Sequence, residues 1–163
     1  MKKAALYSFL LGIIFIPNTL LAQTEPEDVA AVSSEFQDNY YESLKQKGIE
    51  NYDKAILSLE KCLTLEPNNP VVFFELGKNY LAQRNYKDAY DNFEKVTKID
   101  SQNRWAWVGM YDVCYETQDY NQSIIIVEKL IEFREDYKED LVSLYMNTTQ
   151  HDKALELINE LNE

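Results

Sequence analysis

The chain has 163 residues, with 28 acids against 16 bases and one histidine, for a formal charge of −12. That length suits one domain. The acidic balance excludes nucleic acid, whose phosphates it would repel, and disfavours an anionic membrane surface; it favours a neutral or basic partner.

The N-terminus reads Met1-Lys2-Lys3, then an apolar run from Ala4 to Ile16, then Pro17-Asn18-Thr19-Leu20-Leu21-Ala22. A charged start, an apolar stretch and a small residue at the junction predict a signal peptide over 1–22, with Gln23 first in the mature chain. The run is short of the roughly 20 residues a membrane span needs, so no stable membrane insertion is expected after cleavage. Leu20-Leu21-Ala22-Gln23 resembles signal peptides of the Bacteroidetes, Flavobacteria among them, which implies export to the periplasm or medium. Residues 20–25 hold no cysteine for lipid anchoring. Losing Lys2 and Lys3 takes the formal charge to −14. Residues 23–34 read as a flexible acidic leader, with Ser33 or Ser34 as cap of the first helix.

From there the chain repeats. Asn51-Tyr52-Asp53-Lys54-Ala55, Asn85-Tyr86-Lys87-Asp88-Ala89 and Asp119-Tyr120-Asn121-Gln122-Ser123 follow one another at steps of 34 residues. The same step links Leu59, Phe93 and Val127, then Cys62, Val96 and Leu130. A fixed period of this length predicts one helix pair per unit. The clusters Pro67-Asn68-Asn69-Pro70 and Asp100-Ser101-Gln102-Asn103 mark turns between units.

The first unit, about 35–69, keeps Tyr52, Ala55, Leu59, Cys62 and Pro67; its first helix, about Phe36 to Lys47, fits if the turn at Gly48-Ile49-Glu50-Asn51 is longer by about two residues. In the second, about 70–103, Phe73, Leu76 and Tyr80 share one helical face, and Gly77 and Ala89 permit close helix approach. The third, about 104–134, keeps Trp107 as a core position and Met110, but carries Tyr111 for the small residue and Cys114 for the Tyr, which predicts a looser crossing. The fourth, about 135–163, keeps Leu141, Tyr145, Ala154, Ile158 and Leu161 after a step of 31 from Ser123 to Ala154. Ala154, Ile158 and Leu161 are expected to face inward. Leu155 and Leu157 would form an apolar C-terminal edge, covered by a second copy of the chain or by further repeats.

The Phe73-to-Tyr80 run, with Ala89 and Phe93, resembles the tetratricopeptide-repeat (TPR) family. The resemblance implies an all-α, right-handed superhelical solenoid of about four helix-turn-helix repeats over 35–163. It also implies a concave groove lined by the first helix of each unit. Carried across, the groove residues are Val71, Phe74, Lys78 and Leu81, then Trp105, Val108, Asp112 and Tyr115, then Asp136, Glu139, Ser143 and Met146. The floor is aromatic and aliphatic, with acid toward the C-terminal end. Family members that clamp a C-terminal carboxylate use Lys, Arg and Asn here; with Lys78 alone, an acidic tail is disfavoured.

No catalytic constellation is visible. Nucleotide-binding glycine motifs and a nucleophile elbow are missing from the sequence. His151 stands at the place of Tyr52, Tyr86 and Tyr120 and reads as a packing residue. Cys62 and Cys114, far apart in the array, are expected to be free core fillers. No cofactor and no metal are expected. The sequence reads as a non-catalytic protein–protein interaction module of the cell envelope. The alternatives are a glycan-binding or glycan-processing accessory, with Trp105 and Tyr115 on sugar rings, or the N-terminal part of a longer scaffold.

Overall fold

The computed structural model describes residues 26–162, with side chains from residue 31. The expected signal peptide lies outside the described residues. Among those described there are eight α-helices and one 3-10 turn, without strands: α1 Pro26–Gly48, α2 Tyr52–Leu65, α3 Pro70–Ala82, α4 Tyr86–Ile99, α5 Arg104–Glu116, α6 Tyr120–Ile131, the 3-10 turn Glu135–Tyr137, α7 Lys138–Asn147 and α8 His151–Leu161. The helices pair as α1/α2, α3/α4, α5/α6 and α7/α8, and each pair stacks on the next through α2/α3, α4/α5 and α6/α7. No described helix is long and apolar enough to cross a membrane.

Local chemistry sets the boundaries. Asn69 caps α3, its Oδ1 accepting from the N–H groups of Val71 (2.9 Å) and Val72 (3.2 Å), while Pro70 occupies the first turn, where no N–H is needed. Asn103 and Asp119 cap α5 and α6 in the same way. All four turns within the pairs share one form. Asn51 N–H donates to Gln46 O, Asn85 to Tyr80 O, Asp119 to Cys114 O and Gln150 to Tyr145 O, at 2.8–2.9 Å. Each turn places a non-glycine residue in the left-handed region: Glu50, Arg84, Gln118 and Thr149, at φ of 57–59°. This is the Schellman closure, which usually recruits glycine there.

Two expectations about the first unit are corrected. The segment 26–34 is not a leader but the start of α1, which opens on Pro26 and meets no further proline or glycine until Gly48. Ser33 and Ser34 therefore lie inside the helix. The turn after α1 is no longer than the others: α1, α3, α5 and α7 are each followed by three residues before the next helix.

The core runs along the array. Ala55, Leu59 and Cys62, Ala89, Phe93 and Val96, and Ser123, Val127 and Leu130 are all at most 1% exposed. The Phe93 ring fills the space between α3 and α5. A Cβ added at Gly77 or at Gly109 would come within 2.7 Å of it. Gly109 brings α5 close to α4, on the other side from Tyr111; the looser crossing expected at Tyr111 concerns α5 and α6, which pack less extensively than α3 and α4. Trp107 is partly buried, with Nε1 donating to Ser101 O at 3.0 Å. His151 is an exposed first residue of α8 rather than a packing residue.

The last unit is short because α7 has 10 residues where α5 has 13, and its entrance is the 3-10 turn. Leu157 packs against the core formed by Val127, Leu141, Leu144 and Ala154. Ile158 and Leu161, at the register places of Phe93 and Val96, are 38% and 45% exposed. The apolar edge is therefore Leu155, Ile158 and Leu161 rather than Leu155 and Leu157. The inward stripe of α8 lacks a helix to lie against.

Candidate interaction groove

The first helices of the second, third and fourth units present the residues singled out from sequence, and the structure divides them into walls and free surface. Val71, Trp105, Tyr115 and Met146 are exposed, Trp105 by 61%. Phe74, Leu81 and Val108 pack partly against the core around Ala89, Phe93 and Met110, so they are wall rather than free surface. The Phe74 ring lies 5.7 Å from that of Phe93, and Lys78 Nζ sits 4.9 Å over it. The Arg104 guanidinium covers one face of Trp105 at 4.3 Å.

Charge is distributed unevenly along this surface. Glu75 is buried and binds both Lys47 Nζ at 2.7 Å and Lys78 Nζ at 2.6 Å. Burial works against its ionisation, but hydrogen bonds from the two lysines prevail and hold the carboxyl below its ordinary value. Lys78, the one groove cation expected from sequence, is thereby already engaged.

Farther along, two cavities adjoin. One, of about 330 Å³, is lined by Leu81, Ala82, Arg84, Tyr86, Asp112, Tyr115 and Glu116. The other, of about 240 Å³, lies between α5 and α7 and is lined by Tyr111, Asp112, Tyr115, Asp140, Ser143, Leu144 and Asn147. Asp112 and Tyr115 belong to both. The Tyr111 and Tyr115 rings stand 5.9 Å apart at 58°, and Tyr120 meets Tyr115 edge-on at 6.3 Å. Burial, then Asp140, pushes the Tyr111 phenol up to about 12, so it stays a protonated donor. Asp112 is raised by partial burial and then by Glu116; Asp140 by burial and then by Asp136 and Glu139.

The fourth unit departs from the residue-by-residue transfer. Asp136 lies in the 3-10 turn, ion-paired with Arg134. Glu139 stands with Val142, Ile158, Leu161 and Asn162 at the outer edge. Ser143 lines the cavity, and Asp140, not among the residues singled out from sequence, takes the acidic place beside it. Tyr111 was likewise read only as a bulky substitute. Neighbouring carboxylates are too frequent in this chain for spacing alone to single out Asp140.

His151 is exposed, and among the described residues no three His, Cys, Asp or Glu side chains are placed to hold a metal. Cys62 and Cys114 are free thiols in separate core clusters. Burial, then Asp119, pushes the Cys114 thiol up to about 11, which leaves it unreactive at neutral pH.

Comparison with known proteins gives the same architecture. The sequence model of the tetratricopeptide repeat matches residues 40–69 and 71–103. Superkiller protein 3 of Schizosaccharomyces pombe is 25% identical over 122 residues, covering 68% of this chain; the chain spans 9% of that protein's length. A crystal structure of MamA protein superimposes with a TM-score of 0.68 at 22% identity, over 77% of this chain and 70% of the other. The first TPR of Spaghetti (RPAP3), bound to the HSP90 peptide SRMEEVD, gives 0.64 at 15% identity, over 72% and 95% of the two chains. The tetratricopeptide-repeat model thus covers the first two helix pairs, and the stacked helix pairs as a whole share the fold of these solved structures.

Proposed function

We propose that this chain is an exported, non-catalytic interaction module that holds a segment of another polypeptide along α3, α5 and α7. One observation carries the reading: Val71, Trp105 and Tyr115 are exposed on the first helices of two adjacent units, and Tyr115 lines two adjoining cavities. Exposed aromatics next to cavities are the residue types that anchor protein interfaces. A structural neighbour was solved with a peptide on its TPR, which supports the same use here. That peptide, SRMEEVD, is acidic at its C-terminal end, and Asp112, Glu116 and Asp140 make this surface unsuited to such a tail. The partner is neutral or basic. Export rests on Lys2, Lys3, the apolar run and Ala22, and mass spectrometry of protein from its native cells should find a mature N-terminus near Gln23; an intact Met1 would refute it.

The groove is tested with peptides selected from a displayed random library on the purified chain. Trp105→Ala and Tyr115→Ala should each weaken binding about 10-fold or more, since truncating an anchor aromatic costs about 2 kcal/mol. Trp107→Ala should instead lower the melting temperature. If Trp105→Ala lowers it as much, Trp105 is a core residue and the groove assignment fails. The same exposed rings favour a second reading, a glycan-binding accessory. Binding of soluble polysaccharide without binding of any selected peptide would decide for it.

A further inference from the structure

Resting on the groove reading, we propose that the cavity between α5 and α7 is a subsite for a basic side chain of the bound segment, an arginine or lysine held between Asp112 and Asp140 against the Tyr111 and Tyr115 rings.

Three independent features point to this occupant. The first is space: α5 and α7 leave about 240 Å³ between them, walled by Tyr111 and Tyr115 and floored by Leu144. That room suits one long side chain. The second is the surface of the walls. The negative faces of two tyrosine rings attract a cation, and a guanidinium can lie flat on a ring while donating sideways to carboxylates. The third is charge without a partner. The ion pairs of the described residues engage Glu42, Glu75, Asp91, Glu94, Glu132, Glu135, Asp136 and Glu160; Asp112 and Asp140 join none of them. Both are instead surrounded by further acids, Glu116 on one side and Asp136 and Glu139 on the other, and both carboxyls are raised rather than lowered. Each of these partly desolvated carboxylates is repelled by its own acidic neighbours, and a cation seated between the two would offset both repulsions. A neutral side chain would leave this repulsion in place, and an acidic one would increase it. Specificity therefore comes from the repulsive element as much as from the attractive one.

The position is also fixed along the ligand. Asp112 and Tyr115 form the partition to the neighbouring cavity of about 330 Å³. Packed helices lie about 8–10 Å apart, and an extended chain advances about 3.3 Å per residue. A segment crossing α3, α5 and α7 thus places one residue in the α5/α7 cavity and another, about three positions away, in its neighbour. The proposal predicts a basic residue at one position of the segment, not a generally basic peptide.

The probe is a displayed library of random dodecapeptides selected on the purified chain, followed by fluorescence anisotropy with the enriched peptides. One position should be enriched in Arg or Lys. Replacing that residue by Ala should weaken binding about 10-fold or more, and so should Asp112→Asn with Asp140→Asn in the protein. Made together, the changes should cost little more than either alone. The carboxamide variant should melt no lower than the parent, because it removes repulsion; Asp140→Asn alone, on the outer helix, provides a second, milder variant. Basic residues enriched without a fixed position would mean general attraction to an acidic protein and would overturn the proposal. So would losses that simply add. A peptide sensitive to Trp105→Ala but indifferent to both carboxamides overturns this subsite and leaves the groove; indifference to all three overturns both.

Discussion

The turn after α1 offers the sharpest test of how this array is held together, because its glycine stands two residues from where the backbone asks for one. Gly48 has ordinary helical φ, and a Cβ built on it meets nothing within 4 Å. Glu50, at φ 59°, occupies the left-handed position of the Schellman closure, its N–H donating to Lys47 O at 2.9 Å. An L side chain in that region costs roughly 1–2 kcal/mol. Glycine at position 50 would remove that strain but give back about 0.5–1 kcal/mol through the freedom it adds to the unfolded chain. A carboxylate beside the negative end of α1 adds a few tenths. Glu50→Gly should therefore stabilise by about 0.5–1 kcal/mol. Gly48→Ala should add about 0.5 kcal/mol, part of the helix-interior difference between the two residues because the site is in the last turn. Neither residue shares a side-chain contact with the other, so the exchange should stabilise by about 1–1.5 kcal/mol and raise the melting temperature by about 4 °C. Thermal and urea unfolding followed by circular dichroism reads it, with Gln118→Gly and Gln118→Ala as a matched pair: the first should stabilise, while the second, which keeps an L side chain at φ 58°, should change little. An exchange that leaves stability unchanged or lowers it, at unchanged helix content, would show that these turns carry no strain.

Three further outcomes follow from the packing. Gly109→Ala should destabilise by about 1–3 kcal/mol despite better helix propensity, because its Cβ would meet the Phe93 ring at 2.7 Å, and Phe93→Leu should recover most of the loss in urea unfolding. Glu75→Gln should cost about 1–3 kcal/mol at neutral pH, since it leaves Lys47 and Lys78 without their counter-charge. The Glu75 carboxyl is lowered on folding, so its contribution is present above the ordinary glutamate value and is lost as pH falls through the lower folded value; the gap between parent and variant should close over that acid window and stay constant above it. Cys62 and Cys114 should resist thiol reagents in the native chain and titrate as two free thiols in denaturant; rapid native labelling, or no thiols in a monomer, would contradict their burial.

The period was legible because each unit must repeat one packing arrangement. Leu59, Phe93 and Val127 recur at 34 residues since the same hole recurs between helix pairs. The misreadings lie where type and place come apart. Pro26 serves as the first residue of a helix, so a segment whose acids and single proline resemble a linker is helical from that residue on. Phe93 meets Gly77 within its own unit and Gly109 in the next, and Gly109 is not at the register place of Gly77, because contact depends on where the backbones cross and not on sequence alignment. Ile158 and Leu161 have the spacing of core residues, but burial needs a neighbouring helix that their own spacing cannot encode. The exposure of Val71, Trp105 and Tyr115 was readable from register. Asp140 was not, because the three residues missing from α7 and the 3-10 turn before it alter which acid the helix presents to α5.

Those departures from the repeat coincide with the surface most suited to a ligand. Where α3 and α5 obey the pattern, Gly77 and Gly109 close on Phe93 and the space between the helices is filled by core. Where the pattern breaks, Tyr111 stands at the register place of Gly77, α7 has lost a turn, and a walled cavity opens between α5 and α7. A regular array has reason to keep its first helices evenly spaced, since each unit is stabilised by its two neighbours. Tyr111 in the wall and unpaired carboxylates at Asp112 and Asp140 add nothing to that stacking, and the carboxylates oppose it. Local choices that work against the global fold concentrate at functional sites. By that argument the irregular third-to-fourth junction, rather than the well-formed second unit, is the place the proposed partner would occupy.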